Sequence, residues 1–305
     1  MRQEKILRTY RLWRVLAVIM ILGCTGCAIH TQVPRPKPRP STPLARFLAS
    51  GKALFPTYRI VAYYGKADVT TMGVLGSGKP VAVGKRLLRQ ADAYAKYKRP
   101  VIPAFELIAV TAQEAPGTAK TYHGTVDAAT IRRYLAEARR ISGLLVLDIQ
   151  PGRAKFLPLV KQYAQFLREP DVGLALDPEW EMDAGQTPGA EIGGTTGVEV
   201  NAVANYLASI VRDNHLPQKL FVIHQFTPDM IEHRNIIRAL PELATTFHVD
   251  GFGARPNKLS KYDSLASRDL RFHNGIKLFY DQDVDMFLPS NVMALRTQPD
   301  LVTYQ

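Results

Sequence analysis

Two cysteines, Cys24 and Cys27, are all that this 305-residue sequence contains, and both stand near its beginning. The chain beyond them has no disulfide and no thiolate metal site available to it, whatever the redox state of its compartment. Other signatures are missing too. No Gly-rich phosphate turn follows the first candidate strand, as an open dinucleotide-binding sheet would require. The stretch "GVLGSGKP", Gly73 to Pro80, has Pro80 where a phosphate loop needs Ser or Thr after its Lys, so it reads as a surface turn. No HExxH and no tight pair of histidines offers a ready metal site.

Excess positive charge is also less than the formal +12. Five basic residues and one acidic residue precede Cys24, which leaves +8 from there onward, and Arg35, Lys37 and Arg39 take three of those. The remaining five or so lie mostly on predicted outer helices such as "KRLLRQADAYAKYKR" and "IRRYLAEARR", where solvation explains them. Nucleic acid is therefore not an expected partner. Hydrophobic content of 46% with 22% charged residues is that of an ordinary globular domain.

What is present begins with an export signal. Arg2, Lys5, Arg8, Arg11 and Arg14 form a basic segment ahead of "VLAVIMILG", Val15 to Gly23, an apolar run too short to span a bilayer as a lone helix. The following "ILGCTGC" resembles the lipobox of bacterial lipoproteins, which implies lipidation of Cys24, with Cys27 as the alternative. The expected division is a signal peptide over residues 1–23, a lipidated tether over 24–42 and a folded domain over 43–305. In the tether, "VPRPKPRPSTP" alternates Pro with Arg and Lys, favours extended polyproline II, and would hold the domain off the membrane on the outer side.

From Tyr58 onward, short β-rich runs alternate with longer helical ones. Strands are predicted in "YRIVAYYG", "PVIPAFELIA", "LLVLDIQ", "VGLALDPEW", "KLFVIHQF", "TTFHVDGFG", "GIKLFYDQD" and "DLVTYQ". Between them lie helical patterns, including "DAATIRRYLAEARRISG" with Asp127 as its cap, and "PDMIEHRNIIRAL" after the fifth strand. Eight such units with right-handed crossovers predict an α/β fold, a single-domain (β/α)8 TIM-type barrel. No helix follows the eighth strand. The apolar "PLARFLASGKALF" is expected to cover its outer face instead.

Reactive groups of such a barrel sit at the C-terminal ends of the strands, and alternation selects those that point inward. Glu106 on strand two, Asp148 and Gln150 on strand three, and Asp177 and Glu179 on strand four meet that condition. So do His224 or Gln225 on strand five, Asp250 with Phe252 on strand six, and Tyr280 or Asp281 on strand seven. Buried carboxylates are costly unless paired or used, which makes Glu179, Asp177, Asp148 and Asp250 candidate catalytic groups. Glu106, Gln150, His224, Gln225, Asp281 and the aromatics Tyr64, Trp180, Phe252 and Tyr280 are candidate substrate contacts. The long Gly-rich segment "MDAGQTPGAEIGGTTG" after strand four is a candidate lid.

"DPEW" at the end of strand four resembles the Asp-x-Glu of glycoside hydrolase barrels, most closely the family 18 chitinase-like group. The resemblance implies that Glu179 donates a proton and that Asp177 orients the reacting group. Gly173 and Ala175 stand where that family carries further Asp residues. The wider pattern of "YYG", "PAFELIA", "LLVLDIQPGRA", "HQFTPDM", "HVDGFG" and "LFYDQD" is similar to a family of uncharacterised bacterial cell-surface lipoproteins, which implies a membrane-anchored barrel. The leading expectation is a cofactor-free glycoside-hydrolase-like protein acting on a polysaccharide or cell-wall glycan. One alternative is a non-catalytic glycan-binding or scaffolding lipoprotein. The other is a metal-dependent hydrolase using His224, His248, Asp148, Glu179 and Asp250 as ligands.

Overall fold

A computed structural model of the protein describes residues 42–51, 53–117 and 120–305. The predicted signal, Cys24, Cys27 and the tether as far as residue 41 lie outside the described residues. Eight parallel strands close on themselves: β1 (Arg59–Gly65), β2 (Val101–Ala112), β3 (Leu144–Ile149), β4 (Val172–Leu176), β5 (Lys219–Gln225), β6 (Leu243–Val249), β7 (His273–Leu278) and β8 (Leu301–Tyr304), with β8 pairing back to β1. This is the predicted (β/α)8 barrel. A three-residue strand, His123–Thr125, extends β2 in the antiparallel sense.

Alternation divides the core in two. Val61, Phe105, Leu145, Leu147, Leu174 and Phe221 point outward and pack against the helices. Their opposites, Ile60, Ala62, Ile102, Ala104, Val146, Ala175, Leu220, Val222 and Ala244, fill the barrel interior. Farther along each strand the inward positions become polar, so one tube is apolar at its N-terminal end and polar at its mouth.

The segment before β1 does not cover β8. Its helix α1 (Pro43–Ser50), capped by the Thr42 hydroxyl accepting from the Ala45 N–H at 3.2 Å, places Leu44 and Phe47 in the same cluster as the interior residues of the strands. With Leu54, Phe55 and Tyr58 it stoppers the N-terminal end of the tube. An open barrel end would leave Ile60, Ile102 and Leu144 wet, and burying them is the stronger hydrophobic demand.

The outer helices are α2 (Pro80–Asp92), α3 (Ala128–Arg140), α4 (Phe156–Gln162), α5 (Ala164–Leu167), α6 (Gly197–Asp213), α7 (Arg255–Leu265) and α8 (Pro289–Met293). Asp127 caps α3 as expected, accepting from the Thr130 N–H at 2.7 Å. The helix expected in "PDMIEHRNIIRAL" does not form. Ile231–Glu232 pairs instead with Thr195–Thr196, and His233 adopts a left-handed φ of 53°, after which only a 3-10 turn follows. Asn201 of α6 then holds this segment by bonding the Ile236 carbonyl at 3.0 Å and the Arg238 N–H at 2.9 Å.

Candidate active site

Polar side chains from all eight strand ends meet at the mouth. Asp250 and Glu106 organise the deeper half. Asp250 Oδ2 accepts from Lys277 Nζ at 2.9 Å and lies 3.1 Å from His224 Nδ1, while its Oδ1 accepts from the Gly251 N–H at 2.6 Å. The other ring nitrogen of His224 lies 2.9 Å from Glu106 Oε1, and Thr303 Oγ1 donates to Glu106 Oε2 at 3.1 Å. Two anions and two cations thus alternate in a buried chain.

The second half centres on Tyr64. Its hydroxyl lies between Asp148 Oδ2 at 3.0 Å and Asp177 Oδ2 at 3.4 Å, able to donate to one at a time. Gln150 Nε2 donates to Tyr64 Oη at 3.0 Å and reaches Asp177 Oδ2 at 3.4 Å. Lys277 Nζ sits 3.6 Å from the centre of the Tyr64 ring, a cation–π contact that joins the two halves.

Burial is the largest influence on each of these groups, and the neighbours decide whether it prevails. For Asp148 and Asp177 it prevails: burial raises both carboxyls, and Asp148 is raised further by Asp177. Asp250 and Glu106 go the other way, because Lys277 and His224 outweigh burial and hold them below the usual carboxylate range. The same anions, with Asp177, keep His224 and Lys277 protonated although burial opposes it. His248 packs edge-on to His224, with ring centres 4.9 Å apart, and is pushed down to about 3 by burial and by the His224 charge.

Glu179 stands apart from this network. Strand β4 ends at Leu176, and a 3-10 turn over Pro178–Trp180 carries Glu179 to the lip of the barrel, above the fully buried Asp177. Burial, then Asp177 and Asp250, push its carboxyl up to about 8, so it holds a proton at neutral pH. Glu179, Asp177, Asp250 and Lys277 face one cavity of about 560 Å³, within the roughly 300–1,000 Å³ usual for small-molecule sites. Its walls are Trp180, Phe226, Phe252 and Phe279, with Gly189–Ile192 of the long loop along one side. The combination is protonated acid, buried anions and aromatic walls.

The structure brings together Glu179, Asp177, Asp148, Asp250, Glu106, Gln150, His224, Tyr64, Trp180 and Phe252. It does not bring in three expected residues. Gln225 turns away and donates to the Thr227 carbonyl at 3.1 Å. Tyr280 stands outside the barrel, its hydroxyl 3.3 Å from that of Tyr63 and 3.1 Å from Gln90 Oε1, and Asp281 is exposed on the turn beyond it. For Tyr280 the cause is the phase of β7, whereas Asp281 has the inward parity but follows the end of the strand at Leu278. Gly275 pairs with His248 and Lys277 with Thr303, so Gly275, Lys277 and Phe279 face inward. Lys277 was therefore missed by reading the strand end alone, although a lone Lys within the apolar "GIKLFY" signals it.

Gly173 also has a packing reason. A Cβ there would come 2.9 Å from the Leu220 carbonyl oxygen and 3.2 Å from Leu220 Cβ, so no Asp fits. Ala175 pairs with Asp148, and the small side chain leaves the neighbouring strand to supply the carboxylate at that level.

Among the described residues, two sets of ligand atoms converge within 4.8 Å, Glu106 with Asp148 and His224, and Asp177 with His224 and Asp250. His224 is common to both, and both of its nitrogens already face carboxylates. A divalent ion would have to strip its proton and sit beside the Lys277 ammonium. The positive charge that a metal would bring is already supplied by side chains, so the residues present do not fit one well.

By fold and site, then, this is a TIM-type barrel with an acid-rich, aromatic-walled mouth. Among solved structures it is similar to a β-glucuronidase from Parabacteroides merdae (10% identity, 81% of this chain and 31% of that one, TM-score 0.39). A ruminal GH26 endo-β-1,4-mannanase matches at 12% identity over 86% of this chain and 60% of its own, with a TM-score of 0.41. A GH18 chitinase from Pseudoalteromonas aurantia matches at 9% identity over 80% and 92%, also at 0.41. The chain spans about a third of the glucuronidase and three fifths of the mannanase. At these identities and TM-scores the likeness carries no argument, and the barrel is shown by the strand pairing itself. No protein-family model matches the chain, and no curated protein does.

Proposed function

We propose that the protein is a lipid-anchored, extracytoplasmic glycoside hydrolase that cleaves a polysaccharide or cell-wall glycan through its strand-end carboxylates. The observation that carries this reading is Glu179, protonated near neutrality at the lip of an aromatic-walled cavity with carboxylates beneath it. Glycosidic cleavage needs an acid to protonate the leaving oxygen and a second group to stabilise or attack the oxocarbenium-like carbon. Glu179 would deliver the proton. Asp177, directly below, would face the anomeric centre, and the ionised Asp250 would add negative potential from the same wall. Trp180 and Phe252 would stack on sugar rings.

Anchoring rests on the sequence, through the basic and apolar N-terminal segment and the lipobox-like "ILGCTGC". Replacing both Cys24 and Cys27 with Ser is expected to abolish incorporation of labelled fatty acid into the chain, and undiminished labelling would count against anchoring through the lipobox-like segment.

The test of the activity is release of new reducing ends from a panel of wall and secreted polysaccharides by the full chain in detergent, with and without chelator. Product from wild type but not from Glu179→Gln, unaffected by chelator, supports the proposal. Binding of a glycan without product would favour a non-catalytic lectin-like role, and loss of activity with chelator would favour a metal enzyme.

A further inference from the structure

Helix α7 carries two lysines that approach Gly251 at the barrel mouth, and their surroundings differ. Lys258 is buried and fully engaged: its Nζ donates to the carbonyls of Gly251 and Lys277, each at 2.8 Å, and pairs with Asp283 at 3.0 Å. Lys261, one turn later, is half-buried, and among the described residues its ammonium has neither a hydrogen-bond acceptor nor a carboxylate at ion-pair distance. The face of Phe226 holds it, with Nζ 3.6 Å from the ring centre. Burial lowers its pKa, and Asp250 and Glu179 oppose that only through space.

Gly251 allows this arrangement. At a φ of 104° a side chain would be strained, and a Cβ would come 2.7 Å from Lys261 Nζ and 2.6 Å from the Phe226 ring. Gly251 and Phe226 are both walls of the first cavity. Phe226 and Lys261 in turn line a shallow cavity of about 360 Å³ together with Thr227, Asn257 and Ser260, and no carboxylate lines it. The unpaired ammonium thus stands where the two spaces adjoin, with hydroxyl and amide groups beyond it. A partly desolvated cation without an anion is costly, and a ligand anion would relieve that cost.

Charge within the mouth leaves room for one. Asp250 and Glu106 are matched by Lys277 and His224, and Glu179 holds its proton. A singly charged group suits Lys261, whereas a phosphate dianion would be set more strongly against Asp250.

We propose that Lys261 determines specificity: a sugar chain bound in the first cavity continues over Phe226 into the shallow one, and Lys261 pairs with a carboxylate or sulfate that the chain bears. The proposal rests on the glycan reading of the first cavity and adds the class of chain, an acidic polysaccharide.

The experiment is calorimetric titration, at low salt and in detergent, of full-length protein carrying Glu179→Gln to prevent turnover. The probes are hexamers of galacturonate, of its carboxyl-reduced form, of that reduced form sulfated at O6, and of N-acetylglucosamine. A charged hexamer is expected to bind about fivefold more tightly than the reduced form, an advantage that Lys261→Met abolishes and Lys261→Arg keeps. Preference for the carboxylate or for the sulfate identifies which anion is read. Equal affinity of charged and reduced hexamers, a preference untouched by Lys261→Met, or one lost equally in both variants overturns the role of Lys261 and leaves the glycan reading intact. Binding of the N-acetylglucosamine hexamer alone does the same. Failure of every hexamer to bind overturns the glycan reading with it.

Discussion

At Glu179, removal from water and proximity to Asp177 and Asp250 act in the same direction, and the carboxyl keeps its proton to about pH 8. Activity that depends on this acid should fall along a basic limb near that pH, and a pH–rate profile flat to pH 9 would contradict it. The same shift has a consequence for stability. Glu179 and Glu181, raised to about 8 and about 7, hold protons that the unfolded chain releases near 4.5, so the folded state is favoured at low pH. That contribution is complete below the unfolded value and is lost as pH rises through the folded ones. Urea unfolding of wild type and Glu179→Gln should therefore differ in slope between about pH 5 and pH 8, the variant losing less stability across that interval. At Lys277 the expected effect is larger. Removing its charge by Lys277→Met leaves the buried Asp250 carboxylate with one partner fewer, a change that typically costs about 3–5 kcal/mol, measurable in the same assay. Carboxylates at strand ends were legible in the sequence because their chemistry is unusual for buried positions. Lys277 was not, since a two-residue choice of phase on β7 hides which side chain points in.

Among elements, the loop of residues 182–194 is tied at both ends of its excursion. Its root is fixed by the Gly193 N–H donating to the Glu179 carbonyl at 2.7 Å, the bond that also holds the turn bearing the acid. Its tip is held by Arg153, which donates to the Gln186 carbonyl at 2.8 and 2.6 Å while its guanidinium lies 3.9 Å from the centre of the Tyr122 ring. Arg153→Ala is expected to free the tip without disturbing the barrel. Limited proteolysis should then cut within the loop several-fold faster at an unchanged melting temperature, and equal cutting rates would show that the latch is idle. The sequence marked this segment as a candidate lid from its length and glycines, but nothing local to it announces Arg153, thirty residues earlier. The failed helix after β5 has a similar cause. Its apolar spacing is helical, yet pairing with Thr195–Thr196 and the left-handed turn at His233 fix a different path, and those partners are distant in sequence.

For the whole molecule, the governing feature is one tube with two ends of opposite character, stoppered by α1 below and open to solvent above. Leu44 and Phe47 are 6% and 1% exposed, and replacing both with Ala should destabilise the barrel by several kcal/mol without touching the mouth. The eight-fold alternation that makes the tube was plain in the sequence, whereas the place of α1 was not, because an apolar helix fits an outer face or an open end equally well until the barrel closes. The claim that organises the molecule is that Glu179 gives a proton to a leaving sugar, and leaving-group dependence tests it most directly. Glu179→Gln should be assayed on the glycan that wild type cleaves and on a 2,4-dinitrophenyl glycoside of the same sugar, whose leaving group needs no proton. The account predicts a loss of about 10²-fold or more on the glycan and little on the activated glycoside. An equal loss on both substrates, or no loss on the glycan, would contradict it.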